Sequence, residues 1–184
     1  NTSRYSLISS GNNSLGNIFV SANSGYSALE ILQVGLGNAL LIKDAGSDST
    51  PFAIDSNGTV LVGTTTARKN YSNSAHLQIE GTASDYGSSS ITAVKNSNDS
   101  SGPRFTLASS RGTTPGSFTI AQANDNIGNI IFSGADGANL VSAASISAHI
   151  DNTPGLEDMP GRLIISTTPD GSSTPVEAIR ITSK

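Results

Sequence analysis

The side chains with most chemistry to offer in this chain are carboxylates. Asp136, Asp151 and Asp170 stand beside turns in its second half, and Glu157 and Asp158 are neighbours on a loop. Glycoside hydrolysis needs two carboxyl groups about 5–5.5 Å or about 6.5–9.5 Å apart. Adjacent residues on an extended backbone point to opposite sides, so Glu157 and Asp158 do not make such a pair. Asp136, Asp151 and Asp170 do so only if the fold, or a subunit interface, brings two of them together. The stretches 44–49, 151–158 and 170–174 are rich in oxygen donors, but none has the D-x-D-x-D-G spacing of a calcium loop. Asp and Asn in such stretches also bond their own backbone and so make turns.

Other reactive templates fail on spacing. His76 and His149 are far apart, outside any HxxH arrangement, and read as polar residues in strands rather than metal ligands. Gly35-Leu36-Gly37 continues to Leu40 where a dinucleotide fingerprint needs its third glycine, and no helix is expected after it. GxxxxGK[ST] and GxSxG are absent. Without cysteine there is no thiol chemistry, disulfide or Cys-ligated zinc. No cofactor and no metal site is expected. Arg104, Arg111, Arg162 and Arg180 sit beside strands or turns, where pairing with acids at strand ends is expected; the sharper alternative is recognition of an anionic sugar.

The elements that must carry these residues are short strands. Residues 25–63 repeat one pattern, a burst of alternating apolar residues closed by Gly, Asn, Asp or Ser, at 28–31, 39–42, 51–55 and 59–63. Period-two alternation means strand. Strands this short are stable only when neighbours stack and share a core. Residues 64–74 read as a linker and carry Arg68 and Lys69. Beyond them, strands are expected at 77–80, 91–94, 104–107, 117–121, 129–133, 144–150, 162–167 and 178–182. Ser101-Gly102-Pro103, Pro115-Gly116, Asp136-Gly137, Pro154-Gly155, Pro160-Gly161 and Asp170-Gly171 separate them as turns. At most one short helical turn is expected, just before Ala144. The reading is an all-β chain in four parts: a connecting segment, 1–24, a repetitive β shaft, 25–63, a linker, 64–74, and a more globular β-domain, 75–184.

Composition agrees. Charged residues make up 13% of the 184, about half the usual share, and net charge is −4. No basic stripe suggests nucleic acid, and no apolar run approaches the ~18 residues of a membrane span. The first residue is not Met, and the chain is expected to be a piece of a longer protein. A thin β-protein without disulfides is expected to oligomerise.

One stretch resembles a known family. Ile54-Asp55-Ser56-Asn57-Gly58-Thr59-Val60-Leu61-Val62-Gly63-Thr64-Thr65, with the alternating strands before it, resembles the shaft repeats of bacteriophage tail fibres, especially of marine and cyanobacterial phages. Stretches 109–112, 126–137, 144–146, 150–151, 158–168 and 170–171 resemble the β-domain that often follows in those fibres. The resemblance covers residues 25–184. It implies an elongated, intertwined homotrimer, a β-prism or triple-β-helix-like shaft with a β-domain after it. It also implies a further shaft repeat and an intramolecular chaperone of the endosialidase type beyond residue 184. Leu29, Ile31, Leu40, Ile42, Phe52, Ile54, Val60 and Val62 are then the candidates for the trimer axis. At ~25 cal/mol per Å² of buried apolar area, three such faces per layer supply stability without cysteines.

The implied role is structural and host-recognising: non-catalytic attachment of a virion to a bacterial surface, extracellular. Partners would be other tail or fibre proteins and a host surface glycan or protein, without nucleic acid or membrane insertion. Receptor contacts are expected on loops 84–90, 97–103 and 152–160. A tailspike-like polysaccharide depolymerase and a cellular filament or adhesin are the alternatives.

Overall fold

The computed structural model describes residues 29–70, 73–82 and 87–183. It is all-β. Ten strands form two four-stranded sheets and one two-stranded ladder, with a single 3-10 turn, Gly87–Ser89, as the only helical element among the described residues.

The first sheet contains β1 (Leu40–Ile42), β2 (Phe52–Ile54), β3 (Val60–Val62) and β6 (Leu77–Ile79), in the order β1-β2-β3-β6. Asp55 shapes the β2–β3 turn. Its Oδ1 accepts the N–H groups of Asn57, at 2.8 Å, and Thr59, at 2.9 Å. Gly58 takes φ +80°, which a Cβ would oppose. The Asp-x-x-Gly-Thr spacing of the repeat is therefore a hairpin device.

β6 runs parallel to β3, so the chain must cross over between them. The crossover contains a two-stranded ladder, β4 (Lys69–Asn70) with β5 (Asn73–Ser74). Arg68 fastens it: Nε and Nη2 donate to the two carboxylate oxygens of Glu80 at 2.9 and 2.8 Å. Gln78 Oε1 accepts the Arg68 N–H at 2.8 Å, and its Nε2 donates to the Arg68 carbonyl at 2.9 Å. The stretch read as a linker thus carries structure, and the ladder crosses it to reach residues 77–79. The small core of this sheet is Ala53 and Leu61, both 0% exposed, with Pro51 and Thr59.

The second sheet is an antiparallel meander: β7 (Asn126–Ala135), β8 (Leu140–Ile150), β9 (Gly161–Thr167) and β10 (Val176–Ile181). Asp136 builds the β7–β8 turn as Asp55 does the first. Its Oδ1 accepts the N–H groups of Ala138, at 2.8 Å, and Asn139, at 2.6 Å, and Gly137 has φ +100°. At the far end of β8, Ile150 is fully buried. Arg162 caps that end, donating to the Ile150 carbonyl at 3.1 Å, Asp151 Oδ1 at 3.2 Å and Asn124 Oδ1 at 3.1 Å.

Several expectations need correction. Residues 29–31, 91–94, 104–107 and 117–121 alternate like strands but form no ladder. Alternation places side chains; a strand also needs a neighbouring strand for its N–H and C=O groups, and among the described residues these segments pair with none, the Thr119 carbonyl accepting only the Arg111 N–H and Ser110 Oγ. The expected strand at 28–31 extends at Ala28 outside the described residues, as does the connecting segment 1–24. The strand expected from Ala144 begins earlier: Leu140 and Val141 already belong to β8, which pairs from Leu140 with Ala135. Gly161 opens β9 instead of turning.

The glycine account is directly testable. A Cβ at Gly63, φ +84°, would lie 1.9 Å from the Glu80 carbonyl oxygen, whereas one at Gly58 meets nothing within 4 Å. Gly58→Ala should cost only the left-handed penalty of about 1 kcal/mol. Gly63→Ala should cost at least ~2 kcal/mol, because β3 and β6 must also separate. Denaturant midpoints of the two variants compare them; equal losses would refute the close approach.

Candidate interaction faces

Pairing register decides which side chains share a face, because directly opposed residues of adjacent strands point the same way. In the first sheet, Leu40, Ile54, Val60 and Leu77 stand in one row across the strands, and Ile42, Phe52, Val62 and Ile79 in the next. Six of the eight axis candidates therefore converge on one face: Leu40, Ile42, Phe52, Ile54, Val60 and Val62. The other two, Leu29 and Ile31, lie in exposed coil outside the sheet. Leu77 and Ile79 complete the face. Sequence reasoning missed them by assigning them to the later domain, since a parallel partner leaves no hairpin signal. The intrachain core, Ala53 and Leu61, occupies the opposite face, so this apolar face is left half-exposed, with Ile42 at 56%.

The second sheet repeats the arrangement at larger scale. Ile130, Ile146, Ile165 and Ile179 form one continuous row over four strands. Phe132, Ala144, Thr167 and Val176 lie on one side of it, and Gly128, Ala148, Leu163 and Ile181 on the other. The reverse face carries Asn129, Ser147, Ile164 and Arg180 in one row and Ile131, Ser145, Ser166 and Glu177 in the next. One face is thus free of charge and nearly free of polar groups. Its Ile130, Phe132, Val176, Ile179 and Ile181 are exposed.

The reactive candidates do not assemble. Asp136 and Asp170 border one shallow depression at the start of β8. Asp151 follows the other end of that eleven-residue strand, roughly 35 Å away at ~3.3 Å per residue. The Asn139 N–H holds the Asp136 carboxyl below the usual carboxylate range, which opposes service as a general acid. The Arg162 guanidinium does the same for Asp151. Among the described residues no group of three or more acidic or histidine side chains could hold a metal ion. No helix there is long and apolar enough to cross a membrane.

Three of the four expected arginines pair with acids, while Arg104 lines a depression with Ile91, Ala93, Pro103 and Phe105. Arg111 Nε and Nη2 donate to Asp125 at 2.7 and 2.6 Å, Arg162 pairs with Asp151, and Arg180 with Glu177 at 2.6 Å. His149 stands opposite Arg162 and Asn126 in the ladder, with Nε2 3.1 Å from Ser147 Oγ. Its Nδ1 and the Arg162 Nε are buried without a partner among the described residues. Of the expected recognition loops, 97–103 is closed on itself: Asp99 takes Lys95 Nζ, Ser97 Oγ and the Ser101 N–H. Loop 152–160 buries Pro154 but exposes Leu156 and Met159, and Glu157 there takes φ +57°. Of loop 84–90, residues 84–86 lie outside the described residues.

Asp125 gives a pH test. Arg111, helped by the Gln122 N–H, draws its pKa down to about 2 from an ordinary 3.8. A carboxyl with a depressed folded pKa contributes stability that is fully present above about pH 4 and lost as pH falls toward 2. Between those values, urea midpoints should fall less steeply for Asp125→Asn than for the parent chain; identical slopes would remove the pair from the acid response. No known protein-family model matches this chain, and no curated protein matches it.

Proposed function

We propose that this chain is a structural and host-recognition segment of a bacteriophage tail fibre, attaching a virion to a bacterial surface without catalysis. In this reading it works as a homotrimer, with the first-sheet face of Leu40, Ile42, Phe52, Ile54, Val60 and Val62 turned to the common axis. The observation that carries the reading is that these six residues, drawn from the repeat resembling fibre shafts, share one half-exposed apolar face. Water contact with such a face is unfavourable by ~25 cal/mol per Å², and three copies around an axis would relieve it. The second sheet then belongs to the β-domain, and its loops, 152–160 first, are the places to seek contact with a host glycan or protein.

Sedimentation of the full chain should give a particle of three times 18.7 kDa. Phe52→Asp should shift it to smaller species, because a carboxylate at a closed apolar contact costs several kcal/mol. Gold-labelled antibody raised against the chain should decorate tail fibres of intact virions in electron micrographs. Decoration of cellular filaments instead would sink the virion reading in favour of an adhesin. A compact monomer would sink the trimeric shaft.

A further inference from the structure

The second sheet poses a separate problem. Its apolar face spans four strands at ~4.8 Å spacing and about seven residues at ~3.4 Å, roughly 450 Å² in projection. Monomeric proteins rarely leave a contiguous apolar patch above a few hundred Å² open to water. The three rows centred on Ile130-Ile146-Ile165-Ile179 contain no charged residue, and Thr167 is the only polar one among them. Exposure of Ile179 is 55%, of Phe132 53% and of Ile130 46%, on both edges of the sheet, while Leu107 lies against the Gly128 corner and Ile150, next on that face, is buried.

We infer that this face is the surface on which copies of this chain meet in its second half. A flat, twisted, apolar sheet is complemented by another sheet of the same twist about 10 Å away. Among the described residues the only other such face is that of the first sheet. Its strands are three residues long, giving roughly 200 Å², less than half the area required. The same face of neighbouring copies matches in length, width and chemistry, whether two such faces stack or three close around an axis. This face alone offers about 450 Å² of projected area per copy, more than half of the ~800 Å² per partner of a stable interface. The inference concerns a different surface from the shaft axis and stands whether or not the chain belongs to a fibre.

The absence of cysteine makes the test clean. Asn129 and Ile130 are neighbours in β7, both exposed, and point to opposite faces. Single-thiol variants Asn129→Cys and Ile130→Cys of the full chain would be labelled with a maleimide while oligomeric state is read by sedimentation. The expected result is an oligomer in which Ile130→Cys reacts at least about tenfold more slowly than Asn129→Cys, the difference vanishing on dilution to monomers. Ile165→Asp should lower the oligomeric fraction at concentrations where Asn129→Asp does not. An oligomer whose two thiols react alike would overturn the inference and leave the fibre reading intact, because copies would then meet elsewhere. A monomer overturns it with either labelling pattern: a shielded Ile130→Cys would mean that a segment of the same chain, residues 1–28 foremost, covers the face, and a reactive one that nothing does.

Discussion

Everything in this chain depends on where backbone pairing leaves the apolar side chains. Once Leu40 faces Ile54 and Ile54 faces Val60, alternation commits Ile42, Phe52 and Val62 to the same side. A slip of one residue would exchange this face with that of Leu41, Ala53 and Leu61. On the inner side Ala53 and Leu61 close completely, while the outer row keeps Ile42 and Phe52 exposed. In the second sheet the fully enclosed residue, Ile150, lies at one end of the apolar face itself, in line with Ile146 and Ala148. Each sheet is covered only in part among the described residues: the side of Ala53 and Leu61 closes completely and Leu107 lies against Gly128, while most of the larger apolar face of each stays open, although a sheet with an apolar face needs a second layer.

Polar chemistry serves this arrangement. Asp48, Asp55, Asp99 and Asp136 each accept a backbone N–H two residues on, which fixes turns without any long-range contact. Arg68 with Glu80 and Arg111 with Asp125 join segments more than ten residues apart. These pairs are largely exposed, so their value lies more in geometry than in energy. Arg162 differs: buried at the end of β8 beside Ile150, it satisfies two carbonyl-type oxygens and one carboxylate. The carboxylates with which glycan chemistry would have begun are therefore mostly engaged in holding the fold.

Much of this was legible in the sequence. Alternation located β1, β2, β3 and β6 and every strand of the second sheet, and Asp-Gly dipeptides marked the β7–β8 and β9–β10 turns. Six of the eight residues expected on the axis share one face because period two alone assigns a face. The parallel pairing of β6 with β3 was not legible: a parallel neighbour is reached through a crossover whose residues look like any polar loop. Nor was the fate of residues 91–94, 104–107 and 117–121, because their pattern specifies a pleated surface and says nothing about whether a partner strand lies within reach. The separation of Asp151 from Asp136 and Asp170 follows from the full length of β8. That length was underestimated because Leu140 and Val141 fit a helical stripe as well as a strand.

The segments that failed as strands and the faces that lack cover express one deficit. Phe105, Phe118, Ile91 and Val94 alternate with polar residues, as in a half-buried strand, yet Phe118 is 97% exposed. Their backbone groups can turn to water at modest cost, since water replaces a ladder bond nearly one for one. Their side chains cannot, because apolar surface gains nothing from water. The same asymmetry holds for the two sheets, whose ladders are complete while their apolar faces are not. Thr is as good a strand former as Ile, Phe or Val, so strand propensity alone does not account for apolar residues at these exposed positions. Their presence in register, row upon row, is the physical ground for the proposal that this protein is one part of an assembly.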